Sequence, residues 1–261
     1  MEKVVLLTGG SSGIGRECAI ALAASGCRVY EMSRRDAAPE GVVHIAGDVT
    51  SIDDCRRAVA EVVGREGRLD ILVNNAGMGI SGSAENTDAA DAERQMRVNF
   101  LGMSNMCSAA LSALRKSGGR IVNLSSVAAV TPIPFQAFYS ASKAAINAYT
   151  MALANEVRPY GVSVCAVMPG DVATGFTDAR TKNGGEGDYA ERVSRSVGKM
   201  EADERGGMSA EYVGRYVASI ALRRRVKPFY VTRFDYKVLS VLAKVLPCRT
   251  VNFIIGKLYA K

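Results

Sequence analysis

The sequence predicts an α/β fold in which a doubly wound, parallel, seven-stranded sheet carries helices on both faces. Short runs of β-branched residues alternate with helical patterns along most of the chain, as expected for parallel strands joined by crossover helices. A glycine-rich turn also joins the first such run to the first helical pattern. The length of 261 residues suits one large domain, and no second domain is required.

The predicted elements follow one another in strand and helix order. The strands are expected at Val4–Thr8, Arg28–Ser33, Val42–Ala46, Ile71–Asn74, Arg120–Leu124, Ser163–Met168 and Phe229–Thr232. The helices are expected at Gly13–Ala24, Ile52–Glu66, Ala92–Lys116, Tyr139–Tyr160 and Ala210–Arg223. The segment Asp178–Gly207 is rich in glycine and charge and shows little apolar periodicity. We interpret it as a mobile substrate loop, 178–207, with room for a short helix.

The basic character of the chain is concentrated in its tail. The net charge is +7, and Arg223–Lys261 holds ten Lys and Arg residues against one acid, Asp235. Two apolar stripes at helical spacing, Val238–Leu246 and Val251–Leu258, are separated by Pro247. We therefore predict a main domain over 1–235 and an amphipathic helical extension over 236–261. Such helices can lie on an anionic membrane surface, or pack on their own domain or on a sister subunit.

Cysteine usage and hydropathy bear on the compartment. The six cysteines are scattered without a Cys-x-x-Cys pair, and His44 is the single histidine. This pattern argues against a zinc site or a disulfide framework and indicates a reducing compartment. No secretory signal is visible, and no stretch approaches the ~20 unbroken apolar residues of a membrane span. We expect a cytoplasmic protein, with peripheral membrane contact through the tail as an alternative, and no nucleic-acid partner.

The first strand runs into TGGSSGIG, residues 8–15. Glycines at 9, 13 and 15 allow a tight turn and close approach of a pyrophosphate, while the next helix directs its amino-terminal N–H groups at the anion. The spacing Gly-x-x-x-Gly-x-Gly differs from the commoner Gly-x-Gly-x-x-Gly, and the alternative is a purely structural turn. Between a strand and a helix, the turn favours a Rossmann-type dinucleotide site.

The end of the second strand bears on cofactor choice. An acid about 20 residues after the glycines usually binds the ribose of NAD, whereas a nearby Arg can receive the 2′-phosphate of NADP. This strand ends in Ser33, Arg34 and Arg35, and guanidinium groups suit phosphate. NADP(H) is therefore the preferred cofactor, with NAD(H) as the alternative because Glu31 lies two residues earlier. The alternative interpretation is that both arginines are solvent-exposed surface residues that bind no ligand.

Tyr139 and Lys143, in the segment YSASK, stand four residues apart at the start of a predicted helix. That spacing places both side chains on one helix face, about one turn apart. A protonated lysine beside a tyrosine is expected to lower the tyrosine pKa from its ordinary value of about 10. The pair is a candidate acid catalyst, although Tyr-x-x-x-Lys also occurs in helices without a catalytic role.

Several motifs together resemble the short-chain dehydrogenase/reductase family: TGGSSGIG at 8–15, NNAG at 74–77, Asn99, Ser126, YSASK at 139–143 and PGDVAT at 169–174. The resemblance covers most of the chain, and the C-terminal extension is similar to that of hydroxysteroid and retinol dehydrogenase-like members. It implies that Tyr139 is the general acid/base and that Lys143 tunes it and holds the nicotinamide ribose. Ser126, with Ser125 as the alternative, would polarise the substrate carbonyl, and Asn99 would extend a proton relay.

The resemblance also assigns cofactor contacts, each of which has a structural interpretation as well. The expected contacts with phosphates, ribose, adenine and nicotinamide are Gly9, Ser11, Ser12, Gly13, Ile14, Gly15, Ser33, Arg34, Asp48, Val49, Asn75, Ala76, Gly77, Tyr139, Lys143, Pro169, Gly170, Val172 and Thr174. No metal is required for this chemistry.

These observations predict an NADP(H)-dependent oxidoreductase that interconverts a secondary alcohol and a ketone on an apolar, steroid- or lipid-like substrate. Two alternatives stay open. One is a 3-oxoacyl thioester reductase, against which the absence of the usual Asp-Gly-Gly type ending counts; the other is a non-catalytic nucleotide-sensing scaffold. Partners implied by the resemblance are a small apolar substrate and sister subunits in a homodimer or homotetramer.

Overall fold

The computed structural model describes residues 2–183 and 187–260. At its centre is a seven-stranded sheet in which all neighbouring strands are parallel. The strands are β1 (Val4–Thr8), β2 (Arg28–Ser33), β3 (Val42–Ala46), β4 (Ile71–Asn74), β5 (Arg120–Leu124), β6 (Ser163–Met168) and β7 (Phe229–Val231). Their order across the sheet is β7-β6-β5-β4-β1-β2-β3. The predicted fold class is confirmed, and the last strand ends one residue earlier than expected.

Helices flank the sheet on both faces and continue beyond its last strand. They are α1 (Gly13–Ala24), α2 (Ile52–Glu66), α3 (Ala89–Met96), α4 (Gly102–Ser117), α5 (Ala137–Val157), α6 (Ala190–Arg205), α7 (Ala210–Leu222), α8 (Phe234–Val245) and α9 (Cys248–Tyr259). Strand order reverses between β1 and β4. At such a reversal the carboxyl ends of the strands leave a crevice, which is where ligands bind in this architecture.

Each face of the sheet has its own hydrophobic core, because successive strand residues point to opposite sides. Leu6 and Leu72 pack with Met106 and Ile146 beneath α2, α4 and α5. Neighbouring residues on the same strands, including Leu7 and Val73, pack beneath α1 and α7. Burying one such side chain contributes about 1.5–3 kcal/mol. Five of the six cysteines are buried, as expected for small core residues.

The helix predicted over Ala92–Lys116 is interrupted in the structure. α3 begins at Ala89, where the Asp88 side chain accepts a hydrogen bond from the Ala90 N–H (3.1 Å). A π-helical turn, Arg97–Leu101, then separates α3 from α4. A single insertion of this kind widens the helix and marks functional positions in many proteins. Here the widened turn carries Asn99, the residue to which the family resemblance assigns a place in the proton relay.

The predicted substrate loop 178–207 contains more regular structure than expected. α6 occupies sixteen of its residues, so the expectation of a loop with a short helix is corrected. Val193, Val197 and Met200 form a buried helical stripe, which the surrounding charged residues concealed in the sequence. Residues 184–186 of this segment lie outside the described ranges. α6 packs against the tail, since the Tyr259 hydroxyl donates to Asp203 Oδ2 (3.2 Å).

Both predicted tail helices are present as α8 and α9, and Pro247 separates them at the amino end of α9. α8 begins at Phe234 and therefore spans the boundary predicted after Asp235; the division into 1–235 and 236–261 stays a prediction. No helix within residues 2–183 and 187–260 is long and apolar enough to cross a membrane.

Candidate active site

The turn between β1 and α1 requires glycine. Gly9 and Gly13 have φ values of +71° and +54°, which L side chains rarely adopt. A Cβ on Gly15 would lie 2.2 Å from the Gly9 carbonyl oxygen, so Gly15 packs beneath the turn. Gly15 is not among the described residues that line the cleft, and its predicted contact with the cofactor stays a prediction. The remaining predicted residues of the turn do line it: Gly9, Ser11, Ser12, Gly13 and Ile14.

Asn75 connects this turn to the end of β4. Its Nδ2 donates to the carbonyl oxygens of Thr8 (3.1 Å) and Gly9 (3.0 Å). The N–H groups of Asn75 and Ala76 both donate to Thr8 Oγ1 at 3.1 Å. Asn75, Ala76 and Gly77 all line the cleft, and their contacts with a cofactor stay predictions. These bonds hold the amino end of α1 open toward the cleft, which fits a pyrophosphate group.

The end of β2 presents two arginines to the cleft. Arg34 and Arg35 are exposed and line it together with Ser33. An Nη atom of Arg35 donates to Ser12 Oγ at 3.2 Å, so this guanidinium lies over the glycine turn. The cofactor contacts expected from the sequence include Arg34 and not Arg35. In the structure, the Arg35 side chain contacts the glycine turn through Ser12.

Glu31, the source of doubt about cofactor choice, is directed into the protein. Its side chain is fully buried, and Oε2 accepts a hydrogen bond from the Gly10 N–H (3.1 Å). Oε1 accepts from Ser33 Oγ (3.2 Å) and contacts His44 Nδ1. Among the described residues, this carboxylate thus acts as a support beneath the glycine turn and not as a cleft group.

Asp48 and Val49 line the cleft after the end of β3, where the sequence predicted the adenine contacts. Asp48 Oδ1 accepts from the Thr50 N–H (2.8 Å), and its own N–H donates to Asp54 Oδ2 (2.9 Å). Asp48 is therefore both a turn residue and a cleft residue, so its two sequence interpretations are compatible.

Tyr139 and Ser126 both line the cleft, and the Ser126 side chain acts to lower the pKa of Tyr139. Ser126 precedes a short 3₁₀ turn, and its Oγ also accepts from the Ala128 N–H (3.1 Å). Ser125 is buried, and its hydroxyl donates to the Lys143 carbonyl oxygen (3.1 Å). The geometry therefore selects Ser126 over Ser125 as the hydroxyl that can meet a substrate.

Lys143 lies one helical turn beyond Tyr139 and is 6% exposed. Its Nζ donates to the Leu124 carbonyl oxygen (2.8 Å) and lies 5.7 Å from the centre of the Tyr139 ring. Burial lowers the pKa of Lys143 to about 8.

The pKa of Tyr139 moves in the direction opposite to the sequence expectation. Burial raises it to about 12, and the Ser126 side chain opposes this increase only in part. The negative charges of Glu204 and Asp171 raise the pKa further, whereas the positive charge of Arg180 lowers it. The physical reason is that desolvation disfavours the phenolate, while the Lys143 ammonium is engaged by a backbone carbonyl. In this structure Tyr139 is a protonated donor at neutral pH.

Asn99 is completely buried in the π-helical turn. Its Oδ1 accepts from the Met78 N–H (2.8 Å), and its Nδ2 donates to the Met78 carbonyl oxygen (3.0 Å) and to Ser142 Oγ (3.1 Å). Ser142 Oγ in turn donates to the Tyr139 carbonyl oxygen (2.7 Å). Asn99 thus ties the loop after β4 to the helix of Tyr139, and its role in a proton relay stays a prediction.

The loop after β6 closes the cleft on the opposite side. Four predicted residues, Pro169, Gly170, Val172 and Thr174, line it. The Tyr236 ring from α8 packs on Gly170 so closely that a Cβ there would lie 2.3 Å from ring atoms. The tail therefore contributes directly to the site, which the sequence could suggest only by analogy.

The cleft continues past Tyr139 into a largely apolar region, with a total volume of about 1460 Å³. Its further lining residues include Ile133, Gln136, Phe176, Glu204, Tyr236, Leu239, Ile255, Leu258 and Tyr259. The apolar stripes of the tail include Leu239, Ile255 and Leu258, but the sequence did not indicate what these residues would face. Phe176 and Tyr236 carried no signal in the sequence.

This arrangement can protonate a ketone oxygen. An oxygen placed between the Tyr139 and Ser126 hydroxyls would accept hydrogen bonds from both, and Tyr139 would transfer its proton as negative charge develops. The Lys143 ammonium lies 5.7 Å from the centre of the Tyr139 ring, from where its charge would favour the phenolate formed by proton transfer. The residues of the glycine turn and of the loop after β6 would hold a nicotinamide dinucleotide, which in its reduced form would supply hydride for the carbonyl carbon.

Comparison with known proteins places these features in context. Residues 3–184 match the family model described as short chain dehydrogenase. The chain is 40% identical to a 3-ketodihydrosphingosine reductase of Bacteroides thetaiotaomicron, over 93% of this chain and 91% of the relative. It is 38% identical to 11-beta-hydroxysteroid dehydrogenase 1A of Arabidopsis thaliana, over 94% and 72% of the two chains. A solved short-chain dehydrogenase from Streptomyces avermitilis superposes with a TM-score of 0.83 at 28% identity, covering 98% and 96%.

Proposed function

Because the chain belongs to the short-chain dehydrogenase family, an oxidoreductase family that uses a nicotinamide dinucleotide, we propose that it is an NADP(H)-dependent ketone reductase with an apolar, lipid-like substrate. The observation that carries this proposal is the outer wall of the cleft, where Leu239, Ile255 and Leu258 of the tail helices face the region beyond Tyr139. Apolar side chains of this kind favour substrates that lose water on binding. The name of the Bacteroides relative describes reduction of a keto compound, which agrees with this direction of reaction.

The choice of NADP(H) is supported by charge at the end of β2. Arg34 and Arg35 are exposed beside the glycine turn, and a guanidinium can bind the 2′-phosphate through two hydrogen bonds. Glu31 would repel that phosphate if it faced the cleft, but its carboxylate is held by the Gly10 N–H and Ser33. We therefore expect NADPH to be preferred over NADH.

The proposal is tested by a panel of ketones with NADPH, followed by the absorbance of the reduced nicotinamide. The value of kcat/KM is expected to rise with chain length and to be higher for long-chain or steroid ketones than for short polar ketones, because each buried methylene contributes ~0.8 kcal/mol. Equal or higher values for short polar ketones would contradict the apolar assignment.

Tyr139→Phe separates catalysis from cofactor binding. It removes the proton donor but keeps the ring against Phe176, so turnover should fall by about 10³-fold or more while NADPH binding, measured by fluorescence, is retained. Near-normal turnover of the variant would refute the assigned role of Tyr139.

The tail also supports a peripheral membrane contact as part of this proposal. Apolar side chains exposed on α8 and α9 are Phe234, Val238, Val241, Leu242, Val245, Phe253, Ile254 and Leu258. Lys237, Lys244, Arg249 and Lys257 are exposed among them, which complements an anionic lipid surface. Leu258 is both exposed and part of the cleft lining, so this surface is continuous with the substrate region.

Vesicle flotation tests this contact. The full chain is expected to float with anionic vesicles, whereas the double variant Val245→Ser and Phe253→Ser should lose most of the binding. Met151→Ser, at an exposed apolar position on α5, is the matched control and should bind like wild type. Equal flotation of all three proteins would contradict the lipid contact of this surface. Dissociation of an oligomer by the double variant, without any vesicle binding of wild type, would assign the surface to a sister subunit.

A further inference from the structure

Phe176, in the segment that follows β6, lies directly beside the proton donor. The centres of its ring and of the Tyr139 ring are 6.0 Å apart, a distance at which aromatic side chains attract each other. The ring also packs on the backbone after β4, where a Cβ on Gly79 would lie 2.9 Å from Phe176 Cζ. Phe176 lines the cleft, so the position of its ring shapes the space next to Tyr139.

Arg180 packs against the same ring. Its guanidinium carbon lies 5.7 Å from the ring centre, within the range of a cation–π contact. The Arg180 side chain is only 1% exposed, and Arg180 is not among the described residues that line the cleft. It can therefore influence a ligand in the cleft only through the residues that it contacts.

Glu204 of α6 holds Arg180 in this place. Its Oε1 forms an ion pair with Nη2 of Arg180, and its Oε2 accepts a hydrogen bond from Thr177 Oγ1 (2.7 Å). Thr177 follows Phe176 in the chain and is itself buried. One carboxylate thus connects α6 to two residues that closely follow Phe176.

Stability alone does not account for this ion pair. Nε and Nη1 of Arg180 are buried and have no hydrogen-bond partner among the described residues. A buried ion pair with unsatisfied donors is often no more stable than well-packed apolar side chains of similar volume. Such a pair can instead fix one arrangement of the side chains around it.

Pairing also limits the net charge that acts on Tyr139. Burial is the main cause of the raised pKa of Tyr139; the negative charge of Glu204 raises it further, and the positive charge of Arg180 lowers it. Because these two charges act in opposite directions, together they change the proton affinity of Tyr139 less than either would alone.

We propose that Arg180, through its ion pair with Glu204, is a positioning residue that holds the Phe176 ring against Tyr139 and so fixes the Tyr139 hydroxyl beside the substrate carbonyl. The inference rests on the proposed function, because it concerns the same ketone reduction. Arg180 itself transfers neither a proton nor hydride. Without the pair, Phe176 can move away from Tyr139, and a displacement of about 1 Å at the reacting groups can lower the rate about 100-fold.

The main test is a charge-free variant that combines Arg180→Met with Glu204→Gln. Glutamine keeps an oxygen that can accept from Thr177, and no charge is left without its partner, so the free energy of unfolding in urea should stay within about 1 kcal/mol of wild type. For the ketone that wild type reduces best, kcat should nevertheless fall about 10- to 100-fold. KM should change by less than about threefold, because the apolar chain of the substrate contacts the tail helices. NADPH binding, measured by fluorescence, should be retained.

A double-mutant cycle separates positioning from a general structural role. Phe176→Leu removes the ring that contacts Tyr139 and should lower kcat by a similar factor. In the Phe176→Leu background, the charge-free pair should lower kcat by less than about a further threefold, because the ring through which Arg180 acts is already absent. A structural role independent of Phe176 would make the two losses multiply.

Arg205→Met is the matched control on the same helix. Arg205 forms an exposed ion pair with Asp178 at 3.2 Å, which also connects α6 to the segment after β6. Exposed pairs of this kind contribute little, so kcat and KM should stay within about twofold of wild type.

The inference is overturned if the charge-free variant keeps the wild-type kcat, if its loss multiplies with that of Phe176→Leu, or if Arg205→Met causes the same loss. It is also overturned if weaker NADPH binding or a lower free energy of unfolding accounts for the whole loss. A wild-type protein that reduces no ketone of the panel overturns the proposed function itself, whereas an active wild type with any of the other results overturns only the role of Arg180.

Discussion

Replacing Lys143 by methionine is expected to make the cofactor-free protein more stable near neutral pH, although it should abolish turnover. Lys143 is buried and has no carboxylate partner among the described residues; its Nζ donates only to the Leu124 carbonyl oxygen. A charged group in such a place destabilises the folded state. Methionine has a similar length and needs no such partner, so it fits the same space without the charge.

The magnitude follows from the pKa. A value of about 8 instead of 10.5 means that folding disfavours the charged form by about 3 kcal/mol at neutral pH. The variant also loses the hydrogen bond to Leu124, which contributes about 1 kcal/mol. The free energy of unfolding should therefore increase by about 2 kcal/mol.

The pH dependence of the unfolding free energy provides a second test of whether Lys143 destabilises the folded protein. Below about pH 8, Lys143 is protonated in both the folded and the unfolded chain, so the full destabilisation is present. Between the folded value of about 8 and the ordinary value of 10.5, the unfolded chain holds a proton that the folded protein has lost. Wild-type stability therefore rises with pH relative to the variant, and the advantage of Lys143→Met should fall below about 1 kcal/mol near pH 9.5.

Urea unfolding of wild type and Lys143→Met, at about pH 7 and about pH 9.5, measures both effects. Lys116→Met, at an exposed lysine of α4, is the matched control and should stay within about 0.5 kcal/mol of wild type. A variant that is less stable than wild type at neutral pH, or whose advantage does not shrink as the pH rises, would refute this account of Lys143.

Two predictions concern the cofactor half of the cleft. Gly15→Ala places a Cβ 2.2 Å from the Gly9 carbonyl oxygen, so it should cost about 2–3 kcal/mol in urea unfolding and abolish NADPH binding measured by fluorescence; a stable variant that binds normally would contradict the packing argument. Arg35→Ala, beside Ser12, should raise KM for NADPH about 10- to 100-fold and leave KM for NADH nearly unchanged. An equal effect on both cofactors would argue against a 2′-phosphate contact.

Much of the fold was predictable because turn residues and the spacing of apolar side chains indicate where strands and helices begin and end. The bounds of α1 and α2 match the predictions, since each begins after a turn and keeps its apolar stripe to a glycine or serine end. α6 was predictable only in part, because its buried residues Val193 and Val197 are embedded among charged side chains that hide the apolar periodicity. The π-helical turn at Asn99 is accompanied by hydrogen bonds to Met78, twenty-one residues earlier in the chain. The hydrophobic periodicity of the sequence does not reveal a hydrogen bond between such distant residues.

The sequence by itself determined the order of strands and helices, the glycine turn, and the residue types at the site, because steric limits and side-chain periodicity act between near neighbours. Tertiary structure decided what those groups do. It directs the Glu31 side chain into the core and packs the Tyr236 ring of the tail against Gly170. It also raises the pKa of Tyr139, whereas the spacing of Tyr139 and Lys143 in the sequence predicted a lower pKa. Burial and the positions of distant charges set these properties, and both exist only once the chain has packed.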